Sequence, residues 1–141
     1  MIIIIKCEGS MEQRKRHSEK RDAILQAIVR TKCHPSAEWV YQEVKDLYPQ
    51  ISLGTVYRNL TQLKEEGKII PVGVINGQER FDAEVNPHPH FVCRSCGSVL
   101  DLNGVAADPS LSEKIMKQYQ VRVEQQKLMF YGLCGQCLEN D

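Results

Sequence analysis

The sequence predicts an α+β protein of two small lobes, a three-helix unit with a hairpin followed by a mixed lobe pinned by metal. Three observations predict it. Residues 18–67 carry three successive helical apolar patterns, Asn76-Gly77 is a two-residue turn signal between β-branched runs, and two C-x-x-C pairs bracket a further helical pattern. With 141 residues and 42% hydrophobic content the chain can bury a core. Lobes below roughly 70 residues are marginal alone, so a metal or an oligomer interface is the expected supplement.

The first helix is expected from a Ser18 cap to about Thr31, its stripe formed by Ile24, Leu25, Ala27 and Ile28. Pro35 and Ser36 open a second, with Val40, Val44, Leu47 and Tyr48 on one face and Pro49 as the stop. Ser52 caps a third, with Leu53, Val56, Leu60 and Leu63 inward and Gly67 where a left-handed residue ends the helix. The opposite face carries Gly54, Arg58, Thr61, Gln62 and Glu65, flanked by Thr55 and Tyr57; it is polar and nearly neutral, which suits hydrogen bonding. Residues 68–75 and 78–81 then form the hairpin. Three helices and a hairpin is the winged-helix order, with Tyr48 to Ile51 as the short corner between helices two and three; a generic three-helix domain with an incidental hairpin is the alternative.

Pro87 and Pro89 mark residues 83–90 as a semi-rigid hinge, which divides a domain at 1–82 from one at 91–141. The second domain reads as a strand to Cys93, a strand over 98–102, a helix from a Ser110/Glu113 capping box with Leu111, Ile115 and Tyr119 as its stripe, and a strand pattern over 121–133. Residues 1–13 read as an extension, with Met11 as an alternative start. No apolar run reaches 18 residues and no signal peptide is recognisable, so a cytoplasmic protein without membrane association is expected. Net charge is zero, so no global field announces a polyanion partner. The basic excess gathers locally at Arg14, Lys15, Arg16, Lys20 and Arg21, which reads either as a solvated helix start or as a phosphate contact.

Cys93-x-x-Cys96 and Cys134-x-x-Cys137 can aim four thiolates at one point, the tetrahedral set that zinc prefers, with no open position for catalysis. Two disulfides or a redox pair are the alternatives, disfavoured in a reducing compartment. A second constellation comprises Asp82, His88, His90 and Asp101, to which His34 can be added. His88-Pro89-His90 puts two imidazoles on one side of an extended segment, and nitrogen with carboxylate donors suits Fe(II), Mn(II) or Zn(II). Surface histidines are common, so spacing alone leaves this set open.

Ser18-x-x-Arg21, His34-Pro35-x-Ala37, Thr55 to Leu60, Arg80-Phe81-Asp82, His88-x-His90, the two C-x-x-C pairs and Tyr131-Gly132-x-Cys134 together resemble the ferric uptake regulator family over residues from about 14 to 138. The resemblance implies a winged-helix DNA-binding domain hinged to an α/β dimerisation domain, acting as a homodimer on a palindromic double-stranded DNA operator. It implies structural zinc on Cys93, Cys96, Cys134 and Cys137, and a regulatory Fe(II) or Mn(II) ion on His34, Asp82, His88, His90 and Asp101. DNA contacts are then expected from Arg16, Arg21, Thr55, Tyr57, Arg58 and Asn59. Aspartate at position 101 resembles the peroxide-responsive branch, in which His34 and His88 are the expected oxidation targets, and the expected activity is that of a repressor and not of an enzyme. An iron- or zinc-responsive uptake repressor is the alternative within the family, and a non-haem metal enzyme the alternative outside it. Two positions depart from the family pattern: Gln125, Gln126 and Lys127 stand where a histidine is common, so no additional metal site is expected there, and Cys33 beside His34 reads as a packed small side chain sooner than a sensor thiol.

Overall fold

A computed structural model describes the backbone of residues 11–106 and 108–141, and the side chains of these except residues 11–15, 17 and 18. The order is α1 (Met11–Val29), α2 (Ala37–Lys45), α3 (Leu53–Glu65), β1 (Ile70–Ile75), β2 (Gln78–Asp82), β3 (His90–Cys93), β4 (Val99–Asp101), α4 (Pro109–Tyr119), β5 (Met129–Gly132) and α5 (Gly135–Glu139). It is the mixed helix and sheet architecture expected.

The three helices bury one stripe each. Ile24, Ile28, Val40, Val44, Val56, Leu60 and Leu63 form a core closed by Phe81, which the wing strand β2 inserts from below. Ser36 caps α2 by accepting from the Trp39 amide, and Ser52 caps α3 by accepting from the Thr55 amide. Gly67 is left-handed at φ 70, and Asn76 and Gly77 at φ 52 and 79 make the two-residue turn between β1 and β2, which pair antiparallel. In the second sheet the order is β4-β3-β5, with β3 antiparallel to β4 and parallel to β5.

The two sheets share a small core. Val72 and Ile75 of the wing pack against Val92 and Val99 of the second sheet, with Met129 beside them. The wing is therefore docked on the C-terminal lobe as well as on its own helices, a junction that no local sequence signal announced.

Several sequence expectations need correction. Helix α1 passes through Ser18 without a break and already includes Met11, because nothing between the two terminates a helix. The expected extension thus reduces to residues 1–10, which lie outside the described residues, as do the side chains of Arg14 and Lys15. Helix α2 ends at Lys45, before Leu47, which is 69% exposed and not on the buried stripe. Asp108 caps α4 in place of Ser110: its carboxylate accepts from the Ser110 amide at 3.0 Å, with Pro109 at the first helical position. The strand expected over 121–133 shrinks to β5, and the short α5 was not foreseen.

Candidate metal centres and nucleic-acid face

Three of the chain's four histidines and two aspartates meet at one place. His34 lies in the loop between α1 and α2, Asp82 ends β2, His88 lies in the Pro-rich segment, His90 begins β3 and Asp101 ends β4. The register of β3 against β4 sets His90 opposite Asp101. His34 Nε2 is 3.2 Å from Asp82 Oδ2 and 2.8 Å from Asp101 Oδ1; for His88 the distances are 3.0 and 2.7 Å, and for His90 both are 3.1 Å. Ligand atoms about 2.1 Å from a transition metal and at right angles to one another are about 3 Å apart, so this donor set fits an ion at its centre. His88 Nδ1 lies 2.7 Å from the Asn86 carbonyl, which takes the ring proton and leaves Nε2 free to face inward.

The electrostatics follow from burial against pairing. Burial works against the charged form of His34 and His88. For His34 the hydrogen bonds to Asp82 and Asp101 outweigh it, and for His88 the Asn86 carbonyl and Asp101 do, so both are raised. His90 is lowered, because burial and the two neighbouring imidazoles outweigh its bond to Asp82. Burial alone would raise Asp82, but bonds from His34, the Glu84 amide and His90 hold it well below the usual carboxylate range. A cleft of about 350 Å³ reaches the cluster from the side of Thr31, Lys32, Glu84 and Asn103.

The four cysteines of the paired C-x-x-C motifs also converge, as free thiols. Cys96 and Cys134 sulfurs are 3.8 Å apart, the edge of a tetrahedron with zinc–sulfur bonds of about 2.3 Å. The backbone amide of Cys96, then that of Cys134, stabilises the Cys93 thiolate and brings its pKa to about 6, whereas Cys134 and Cys93 outweigh a Ser95 hydroxyl and push Cys137 up to about 12. A cation shared by all four sulfurs removes that conflict. The turn within the first pair closes through left-handed Gly97, φ 72.

The exposed face of α3 carries Tyr57 and Arg58 as expected. The Tyr57 hydroxyl donates to Glu38 Oε1 at 2.9 Å, and Arg58 Nη2 donates to Thr55 Oγ1 at 3.0 Å. Arg16 is exposed on α1. Asn59 is not on that face: it is 7% exposed and its amide donates to the Thr55 carbonyl at 2.8 Å, bracing the helix from inside. Arg21 donates to Gln62 at 2.7 Å and lies 3.6 Å from Glu66, so it ties α1 to α3. Cys33 is exposed and accepts a bond from the Thr31 hydroxyl at 3.0 Å, against the expectation of a packed thiol. Sequence reasoning assigned no role to Glu38 or Arg80. Glu38 follows His34 by four residues in the first turn of the expected second helix, and Arg80 stands in the Arg80-Phe81-Asp82 motif; no further signal marked either.

The sequence profile of the ferric uptake regulator family matches residues 12–131. A peroxide-responsive repressor of Staphylococcus saprophyticus is 31% identical, covering 86% of this chain and 82% of that protein, and the peroxide operon regulator of Bacillus subtilis is 28% identical over 89% and 86%. The peroxide stress regulator of Campylobacter jejuni superposes with a TM-score of 0.76 at 30% identity, covering 89% of this chain and 94% of that one. With its two donor clusters in place and a family profile matched along most of its length, the chain belongs to the ferric uptake regulator family.

Proposed function

We propose that the protein is a metal-dependent repressor that senses peroxide and binds a palindromic DNA operator as a homodimer in the cytoplasm. One observation carries the reading: the five-ligand cluster joins the α1–α2 loop, the end of the wing, the hinge and the second sheet at one point. All five donors can meet only in one interdomain pose. An ion that binds them stabilises that pose over open ones by its differential affinity, and about 5.5 kcal/mol of such preference shifts a population from 1:99 to 99:1.

Residues 1–82 act as the DNA-binding domain, 83–90 as the hinge and 91–141 as the dimerisation domain, whose fold is stapled by zinc on Cys93, Cys96, Cys134 and Cys137. The stripe of α4, Leu111, Ile115 and Tyr119, is exposed in the single chain, as are Phe130 and Tyr131 of β5. A second copy covers these. The dimer then sets the spacing of two α3 helices, which engage half-sites about 34 Å apart. Arg58 and Tyr57 read bases or methyl groups, Thr55 supports Arg58, and Arg16 contacts phosphate.

His34, Asp82, His88, His90 and Asp101 hold Fe(II) or Mn(II). Bound Fe(II) supplies the reducing equivalents that convert hydrogen peroxide into an oxidant beside its ligands. His34 and His88 face the centre through Nε2, and an oxygen gained on either ring lowers its basicity, weakens the site and releases the interdomain pose. Operator binding is to be measured with zinc-loaded protein carrying Fe(II) or Mn(II), before and after peroxide. Release from the Fe(II) form alone, with one oxygen on His34 or His88 in peptide mass spectra, is expected. Unmodified histidines with an oxidised Cys33 would overturn the peroxide chemistry, and equal response to both metals would favour a sensor of metal supply.

A further inference from the structure

We infer that Arg80 is the positioning residue of the regulatory cluster, a guanidinium clamp that ties the loop bearing His34 to the thiolate knuckle at Gly97. The inference rests on the reading of the five-ligand cluster as a metal site. His34 is held at φ 53, a left-handed conformation that is strained for a non-glycine residue and persists only where its surroundings impose it. Flanking backbone contacts stop short of it. The Phe81 amide donates to the Pro35 carbonyl at 3.0 Å and Ser36 bridges to Arg80, so strand β2 fixes residues 35 and 36.

The preceding two carbonyls are taken by the Arg80 side chain. One edge of its guanidinium spans both, Nε donating to the His34 carbonyl and Nη2 to the Cys33 carbonyl at 2.6 Å. Nη1 on the far side donates to the Gly97 carbonyl at 3.1 Å. A planar fork with fixed donor directions can hold three carbonyls in set relative positions; a lysine ammonium on a flexible stem cannot. The junction has no slack at the knuckle either. A methyl group built on Gly97 would lie 2.7 Å from the Asn76 side-chain nitrogen, at the tip of the wing. Arg80 therefore touches no ligand atom, yet it sets where the His34 ring stands relative to a sheet whose far end holds the four cysteines. The thiolate site and the nitrogen–oxygen site share one mechanical link, and disturbing the knuckle displaces the first ligand of the other site.

The test uses the full-length zinc-loaded protein with Arg80→Ala and Arg80→Lys, titrated with Mn(II). The spectrum of bound Mn(II) and amide exchange at residues 31–36 without Mn(II) are recorded beside it. Arg80→Ala should keep its zinc and helix content, exchange faster at residues 33 and 34, and bind Mn(II) about 10–100-fold more weakly with an altered spectrum. Added guanidinium ion should restore part of that affinity, and Arg80→Lys should fall between. Mn(II) affinity and exchange equal to the unsubstituted chain, or a loss equal in both variants that guanidinium does not touch, would overturn the role. If Arg80→Ala does not fold, Arg80→Lys decides by the same two readouts. Failure of the unsubstituted chain to bind Mn(II) would overturn the metal-site reading instead, while the exchange result still judges the clamp.

Discussion

The two donor clusters are built on opposite plans. The thiolates come as two short-range pairs, each in one tight turn, inside a lobe that has few fully buried side chains of its own. The nitrogen and oxygen donors come from four separate stretches on both sides of the Pro-rich segment, and they are more deeply buried, with His34 and His90 at 3% and 2% exposure. A closed sulfur set inside one lobe adds stability. A mixed set across a hinge adds a choice between poses. Under the proposed function, the same chain separates a metal that makes the lobe from a metal that moves it.

The contrast is broken most drastically at the sulfur site. Cys96→Ser should abolish zinc retention and leave the lobe unfolded and the chain monomeric, because structural zinc contributes about 10–16 kcal/mol, comparable with the whole stability of a small domain. Zinc content and sedimentation check it, and a stable zinc-free dimer would remove the distinction. Asp82→Ala sharpens it from the other side. The carboxylate bonded to His34, His88 and His90 disappears, so Mn(II) affinity should fall by more than about 100-fold while zinc and the dimer remain. Calorimetry with Mn(II) on zinc-loaded protein reads both quantities.

How legible each cluster was follows from the same difference. A C-x-x-C turn is a local instruction, so both thiolate pairs could be read from spacing, as could the Asn76-Gly77 turn and Gly67, whose left-handed conformations are written in residue type. His88-Pro89-His90 gave half of the second cluster by alternation. Its union with His34, Asp82 and Asp101 depended on resemblance, because the strand register and the hinge fold are not local properties. His34 adopts a left-handed backbone at φ 53, which few non-glycine residues do, and nothing in its neighbourhood announced it. Asn59 was expected to contact DNA only because it stands in the motif that carries the resemblance, whereas a backbone carbonyl one turn back satisfies it within the helix. The capping of α4 by Asp108 and the retreat of the strand over 121–128 have local causes: the Ser110/Glu113 pattern matched a capping box while Asp108 two residues upstream takes the Ser110 amide, and apolar alternation persisted in a stretch that finds no partner strand within the described residues.

The DNA face should be separable from both metal sites. Arg58→Ala should leave zinc and Mn(II) affinity unchanged and cost about 1–3 kcal/mol of operator discrimination, whereas Arg16→Ala should weaken binding to all sequences alike and flatten the salt dependence. Operator and scrambled duplexes compared across salt concentrations distinguish the two, and normal operator binding by Arg58→Ala would remove α3 from the reading face.

The smallest effect expected concerns protons, and it separates the clusters by sign. In the absence of the regulatory ion, His34 and His88 are raised above the ordinary imidazole value near 6.5 by the carboxylates and the Asn86 carbonyl around them. A group raised in the folded state contributes its stability fully below its unfolded value and loses it as pH rises through the folded one. Protons on these two rings therefore stand in for the metal in mildly acid solution, pairing with Asp82 and Asp101. As pH climbs past neutrality they leave, and two carboxylates are left facing neutral rings. Asp82, held low, keeps its contribution down to the ordinary carboxylate range and loses it only in stronger acid. Zinc-loaded protein without regulatory metal should accordingly melt at a lower temperature at pH 8 than at pH 6, with His90, lowered by burial and its neighbouring imidazoles, opposing part of the change. Mn(II) must displace the same protons, so its affinity should run the other way and rise over the same interval. Zinc retention should hold constant over this interval, because the bound ion keeps all four sulfurs as thiolates. Melting curves at both pH values, with and without Mn(II), check the crossing. Parallel pH dependence in the two forms would mean that the rings do not trade protons for metal.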